Sequence, residues 1–337
     1  MRRLNRAALP FAAAVAVWMW TALAADEATV AAALDRGDTT ALREGLATLA
    51  RGTSVDHAAT VLAEALEALP RNRAFRERLE GHPEVAPAAL GDASARYLFL
   101  MVPGWRYLLN PETGADLARP RAVLERMGFE ARLVPLDQNG TVEDNAAALA
   151  AELGRLETEG RALVLVSTSK GGPETHLALD LLRREDRADH VAAWVNIGGL
   201  LNGSGVADFW ETWPQSLLAM IGFALQGLST RSIASMTTET SRARFAAATL
   251  PEHVLVVNYL AVPMAAEVTP PAQSNYTRLA PQGPNDGLTL LADAIVPQGI
   301  TVVARGLDHF YAAPDLDQRI AATALAIVAE LEARSGR

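Results

Sequence analysis

The sequence predicts an α/β protein: a mostly parallel sheet flanked by helices. Three observations predict it. Six strand-length runs are near-continuously apolar, with only scattered polar positions such as Arg132, Asn196, Asn258 and Thr301, which is how strands covered on both faces read. Helical patterns separate successive runs at the length of a crossover connection. The third run passes through a short Ser/Gly turn at 167–172 directly into a helix. Open parallel sheets place their reactive groups at such strand ends.

The elements follow in order. Arg2, Arg3 and Arg6 form a basic start, 7–20 is almost wholly apolar, and Ala22-Leu23-Ala24 offers small residues for cleavage. This predicts a signal peptide over 1–24, cut after Ala24. An uncleaved anchor is the alternative, since 7–24 is at the lower length limit for spanning a bilayer. The body is then periplasmic or secreted, or held at the inner membrane facing the periplasm. Residues 25–92 carry leucines at helical spacing (Leu34, Leu42, Leu46, Leu49, Leu62, Leu66, Leu69). They read as an N-terminal helical extension packed on the main domain, with a partner-binding module as the alternative.

The main domain is 93–337. Its strands are expected at 97–102, 131–135, 162–166, 191–197, 253–260 and 300–304. Helices are expected at 114–127, from Thr141 to near Gly160, from Pro173, and at 317–334. Thr141 and Asp144 mark a capped helix start. Between the fourth and fifth strands, 201–250 is longer than a crossover needs. It is also rich in apolar side chains, among them Phe209, Trp210, Trp213, Met220, Ile221 and Phe223. It reads as a helical cap or lid, with an ordinary buried insertion as the alternative.

Composition removes several function classes. The chain has no cysteine, which excludes disulfides, thiol catalysis, cysteinyl metal sites and a cysteine-linked lipid anchor. The net charge is −9, and more negative by three once Arg2, Arg3 and Arg6 are removed. No basic run follows them, so no nucleic-acid partner is expected.

The chemistry centres on Ser169. It sits between a strand and a helix, with small residues two before (Ser167) and two after (Gly171). That setting holds a serine hydroxyl exposed above a sheet edge. The alternative is a Ser/Gly turn that binds an anion at a helix N-terminus. A serine hydroxyl needs a base, and the base an orienting carboxylate. Of six histidines, His57 and His82 fall in the extension, His176 lies along the helix after Ser169, and His190 and His253 read as edge positions. His309 follows the last strand and is the expected base. Asp286, in the Asn-Asp-Gly turn at 285–287, is the expected acid; Glu267, Asp293 and Asp308 compete for that role. Lys170 and Trp105 are expected to offer backbone N–H groups to a developing oxyanion.

Four motifs carry a family resemblance: VPGW at 102–105, STSKGG at 167–172, PNDGLT at 284–289 and GLDHF at 306–310. From about Tyr97 onward the chain resembles the α/β-hydrolase superfamily, and most resembles bacterial lipases and esterases. It departs from them at Pro103, where His is common, and at Ser167, where Gly is usual. The resemblance implies an α/β-hydrolase fold and hydrolysis of a carboxylic ester by Ser169, Asp286 and His309, with no metal or cofactor. The expected partner is a small-molecule or lipid ester substrate, with lipid-interface association through the insertion or an uncleaved N-terminus. Acyl transfer or amide cleavage by the same residues is an alternative, as is a non-catalytic exported scaffold.

Overall fold

The structure, a computed structural model, describes residues 26–80, 93–226 and 229–336. The expected leader at 1–24 and the segment 81–92 lie outside the described residues.

Four helices open the described chain: α1 (26–36), α2 (Thr39–Gly52), α3 (Val55–Ala68) and α4 (Pro70–Glu80). Capping explains two of the starts. Asp38 accepts from the Thr40 and Ala41 amides, and Ser54 from the His57 amide, satisfying donors that a helix leaves open. One turn, α5 (Ala93–Arg96), leads into β1 (Tyr97–Val102). Then follow α6 (Ala118–Arg126), β2 (Glu130–Leu133), α7 (Val142–Arg155), β3 (Ala162–Thr168), α8 (Gly171–Arg184) and β4 (Val191–Ile197). Helices α9 (Gly205–Glu211), α10 (Gln215–Ala224), α11 (Arg231–Ala234) and α12 (Thr238–Ala247) precede β5 (Leu255–Val262). Helix α13 (Pro270–Leu279), β6 (Ile300–Arg305) and α14 (Leu316–Arg334) complete the chain.

The sheet order is β2-β1-β3-β4-β5-β6, and every neighbouring pair is parallel. Both faces are covered, which accounts for the continuous apolar strands. In β1, Tyr97, Phe99 and Met101 face α6 and α14, while Leu98, Leu100 and Val102 face α7 and α8. From β1 the chain goes to one side for β2 and returns to the other side for β3. The winding therefore reverses between β1 and β3, and the crevice at their C-terminal ends is the switch point where such sheets bind ligands. Register puts Val102 level with Ser167, so the loop after β1 lies beside the turn after β3.

Several boundaries differ from those expected. The fifth strand starts at Leu255, because the Val254 amide bonds back to Pro251 in a turn. The first crossover helix starts at Ala118, after a 3-10 turn at Pro111–Thr113.

The N-terminal helices wrap the β6 edge. Helices α1 to α3 bury Val30, Leu42, Leu46, Leu49 and Leu62 against Leu260 and Val262 of β5. Helix α4 crosses to the other face, where Phe75 is fully buried beside α14, worth about 1.5–3 kcal/mol of apolar burial. Between the two faces, Asn72 accepts from the Thr301 amide of β6 at 2.8 Å and donates to the Leu66 carbonyl at 2.8 Å. Arg71 donates to the Gly299 and Pro297 carbonyls at 3.0 and 2.8 Å. An open strand edge is thus supplied with partners.

Candidate active site

Strand β3 delivers Ser169 into a left-handed backbone conformation, φ +53°, which costs a non-glycine residue about 1–3 kcal/mol. Three backbone bonds hold it there. The Ser169 amide donates to the Ile197 carbonyl at 3.1 Å, and its own carbonyl accepts from Gly172 and Leu200 at 3.0 and 3.1 Å. The glycines after it are required sterically. A Cβ at Gly171 would lie 2.7 Å from the carbonyl oxygens of Val102 and Pro103, and one at Gly172 would lie 2.7 Å from the Gly199 Cα.

Ser169 Oγ donates to His309 Nε2 at 3.1 Å, and His309 Nδ1 donates to Asp286 Oδ2 at 2.7 Å. These roles follow from the carboxylate, which only accepts. Its other oxygen, Oδ1, already accepts from the Leu288 and Thr289 amides, each at 2.9 Å. Nδ1 therefore carries the proton, and Nε2 is left as the acceptor facing the serine. The His309 amide also donates to the Asp286 carbonyl at 2.9 Å, locking the two loops together. Behind them the buried Tyr311 hydroxyl donates to the Tyr259 carbonyl at 2.7 Å and accepts from the Ala261 amide. Burial, and then the charge of Asp286, push its pKa well above the usual phenol range.

The amides of Trp105 and Lys170, from the loops after β1 and β3, flank Ser169. Among the described residues neither has a hydrogen-bond partner. A cleft of about 560 Å³ opens over Ser169, lined by Trp105, Leu200, Val206, Phe223, Met236 and Leu288 among others. A second cavity of about 450 Å³, walled by Leu117, Ile197, Tyr311 and Ile320, shares Thr113, Thr168, His309 and Phe310 with it. Two larger clefts, of about 930 and 900 Å³, contain none of Ser169, Asp286 and His309.

No protein-family model matches the sequence, and no curated protein does. Solved structures do. A metagenomic carboxyl esterase superimposes with a TM-score of 0.57 at 26% identity, over 72% of this chain and 76% of that one. The mature lipase of Bacillus licheniformis superimposes at 0.52 and 22%, over 64% and 86%. The chain has the α/β-hydrolase fold.

Within this hydrolase fold the other candidates are otherwise engaged. Glu267 accepts from the Met264 amide in its own turn. Asp293 is buried between Arg43 and Arg242. Asp308 accepts from the Thr269 amide and hydroxyl and from the Phe310 amide. His57 pairs with Glu27, while His190 and His253 reach the Leu153 and Ala188 carbonyls. His176 is buried, stacked on Phe245 with ring centroids 4.7 Å apart. His82 lies outside the described residues. Among those described, no cluster of His, Asp and Glu is arranged to hold a metal.

Two features escaped sequence reasoning. Ser167 accepts a hydrogen bond at 2.8 Å from the indole of Trp194, both residues being fully buried. The Lys170 side chain is also buried, paired with Glu174. The four-residue spacing of these two charges was a signal, but such pairs usually lie on a solvated helix face.

The segment between β4 and β5 divides. Helices α9 to α11 stand over the cleft, whereas α12 packs on α8 and sends Phe245 into the sheet face. Helix α10 turns Ala219 and Phe223 inward and leaves Leu217, Leu218, Met220 and Ile221 exposed, with Trp213 and Leu225 flanking it at 79% and 83% exposure. Phe223 stacks on Trp105 at 6.0 Å, and Arg106 donates to Gln226 at 2.7 Å.

Proposed function

We propose that the protein is a serine hydrolase that cleaves carboxylic esters with an apolar acyl group. The observation that carries this reading is the unbroken relay from Asp286 through His309 to Ser169 at the floor of an apolar cleft. Similarity to a carboxyl esterase supports it.

In this mechanism Ser169 Oγ attacks the ester carbonyl carbon while His309 Nε2 takes its proton. The carbonyl π electrons move to oxygen, and the Trp105 and Lys170 amides hold the resulting oxyanion. Asp286 stabilises the imidazolium and does not itself take the proton. The intermediate collapses: the C–O bond to the alcohol breaks, and His309 returns the proton to the departing oxygen. A water then attacks the acyl-enzyme, giving its proton to His309. The second intermediate expels Ser169 Oγ, which recovers that proton and frees the carboxylic acid.

The two apolar cavities that share His309 suit an ester with apolar groups on both sides of the bond. The exposed apolar side chains of α10 beside the cleft suit a substrate taken from a lipid surface. The N-terminal pattern at 1–24 supports export, with cleavage after Ala24. Among the described residues no helix is long and apolar enough to cross a membrane.

The test is Ser169→Ala. It is expected to abolish hydrolysis of p-nitrophenyl esters while the thermal unfolding midpoint stays within a few degrees of wild type. Full activity in that variant would refute the mechanism.

A further inference from the structure

We infer that Asn145 and Glu174 are positioning residues that hold both proposed oxyanion donors in place, an inference that rests on the ester-hydrolase reading above. Lys170 supplies one donor through its amide, yet its side chain leaves the cleft and turns into the protein. It is 1% exposed, and it pairs with Glu174, one turn further along α8 and equally buried. Asn145, on α7, donates to Glu174 Oε1 at 2.7 Å and to the Asp137 carbonyl at 2.8 Å. The 136–138 segment in turn holds the loop that carries the second donor. The Gln138 carbonyl accepts from the Arg106 amide at 3.1 Å, and the Leu136 carbonyl accepts from the Tyr107 hydroxyl at 3.1 Å. A continuous path therefore runs from Lys170 through Glu174 and Asn145 to the residues on either side of the Asp137–Gln138 peptide, and on to the neighbours of Trp105.

Stability does not account for this path. Helices α7 and α8 already pack through Leu149, Leu153, Leu179 and Leu182. A buried ion pair is often no more stabilising than apolar residues of the same size. Burial pushes the Glu174 carboxyl above its ordinary range, and Lys170 and Asn145 offset part of that. Such a group gains its use where two amides must keep a fixed spacing before charge develops, because donors that need no rearrangement stabilise the transition state most. The turn at 137–140 fits closely round Asn145: a Cβ at Gly140 would lie 2.5 Å from its Oδ1.

The experiment compares wild type with Asn145→Ala and with the double variant Lys170→Met/Glu174→Met, which keeps both backbone amides and leaves no unpaired buried charge. Thermal midpoints, kcat and KM on a p-nitrophenyl ester, and inhibition by an alkyl trifluoromethyl ketone are measured. Folded variants are expected to keep KM within about twofold while kcat falls about 10- to 100-fold. Affinity for the ketone, which mimics the tetrahedral intermediate, should fall by the same factor. Asn145→Gln is expected to recover part of the loss. Wild-type kcat in either folded variant, or a loss confined to KM, overturns the inference while leaving the ester-hydrolase reading intact. Failure of both variants to fold assigns the path to stability and also overturns it. A wild-type protein without ester hydrolysis overturns the reading and the inference together.

Discussion

Ser167 occupies a position where related elbows carry glycine, and its hydroxyl accepts the indole N–H of Trp194. The small side chain fits because it projects onto the sheet face that carries Trp194 and meets a donor that would otherwise be buried without a partner. Ser167→Ala is therefore expected to cost about 1–3 kcal/mol, measured by urea unfolding, with ester hydrolysis retained. Asp286 is bound differently. Two amides fix one oxygen and the imidazole takes the other, so its geometry survives replacement by an amide while its acceptor-only character does not. Asp286→Asn should leave the thermal midpoint nearly unchanged and lower kcat about 10³- to 10⁴-fold, since the imidazole then favours the wrong tautomer.

Helix α8 carries a buried titratable group away from the reaction. Burial pushes the His176 pKa from 6.5 down to about 4. The native state thus keeps the imidazole neutral where the unfolded chain would protonate it. Between about pH 6.5 and 4 the unfolded chain binds more protons, so stability falls as pH drops through that window and is fully present above it. The span corresponds to about 3 kcal/mol. His176→Phe keeps the stack on Phe245 and is expected to flatten the dependence of the thermal midpoint on pH in that range. Elements of this kind differ in how readable they were. The strands at 97–102 and 191–197 stand where their apolar runs predict, because a strand covered on both faces leaves a continuous signal. Ser169 and His309 were singled out by their positions after strands and Asp286 by its turn between the fifth and sixth, and the structure brings the three within hydrogen-bond reach. The Lys170–Glu174–Asn145 path was not readable. It depends on the packing of α7 against α8, and no local pattern encodes which charged side chains turn inward. The roles of α9 to α11 and of α12 were likewise merged in the sequence, because helices facing a cleft and helices facing a sheet share the same periodicity.

At the scale of the molecule, the N-terminal helices belong to the same core as the sheet. They cover part of one face, cross the β6 edge and reach the other face. Removal of residues 26–80 would expose Leu260 and Val262 and free the Thr301 amide. The truncated protein is expected to be recovered mainly as aggregate, as judged by size-exclusion chromatography, with little ester hydrolysis in the soluble fraction. The hydrogen bond between Asn72 and Thr301 joins residues 229 apart in the chain. Closing a loop of that length costs about 5 kcal/mol of chain entropy. Helices α1 to α4 therefore lack their burial partners until β5 and β6 have been made, so this early part of the described chain fastens late, like a clasp closed by strands near the far end of the sequence.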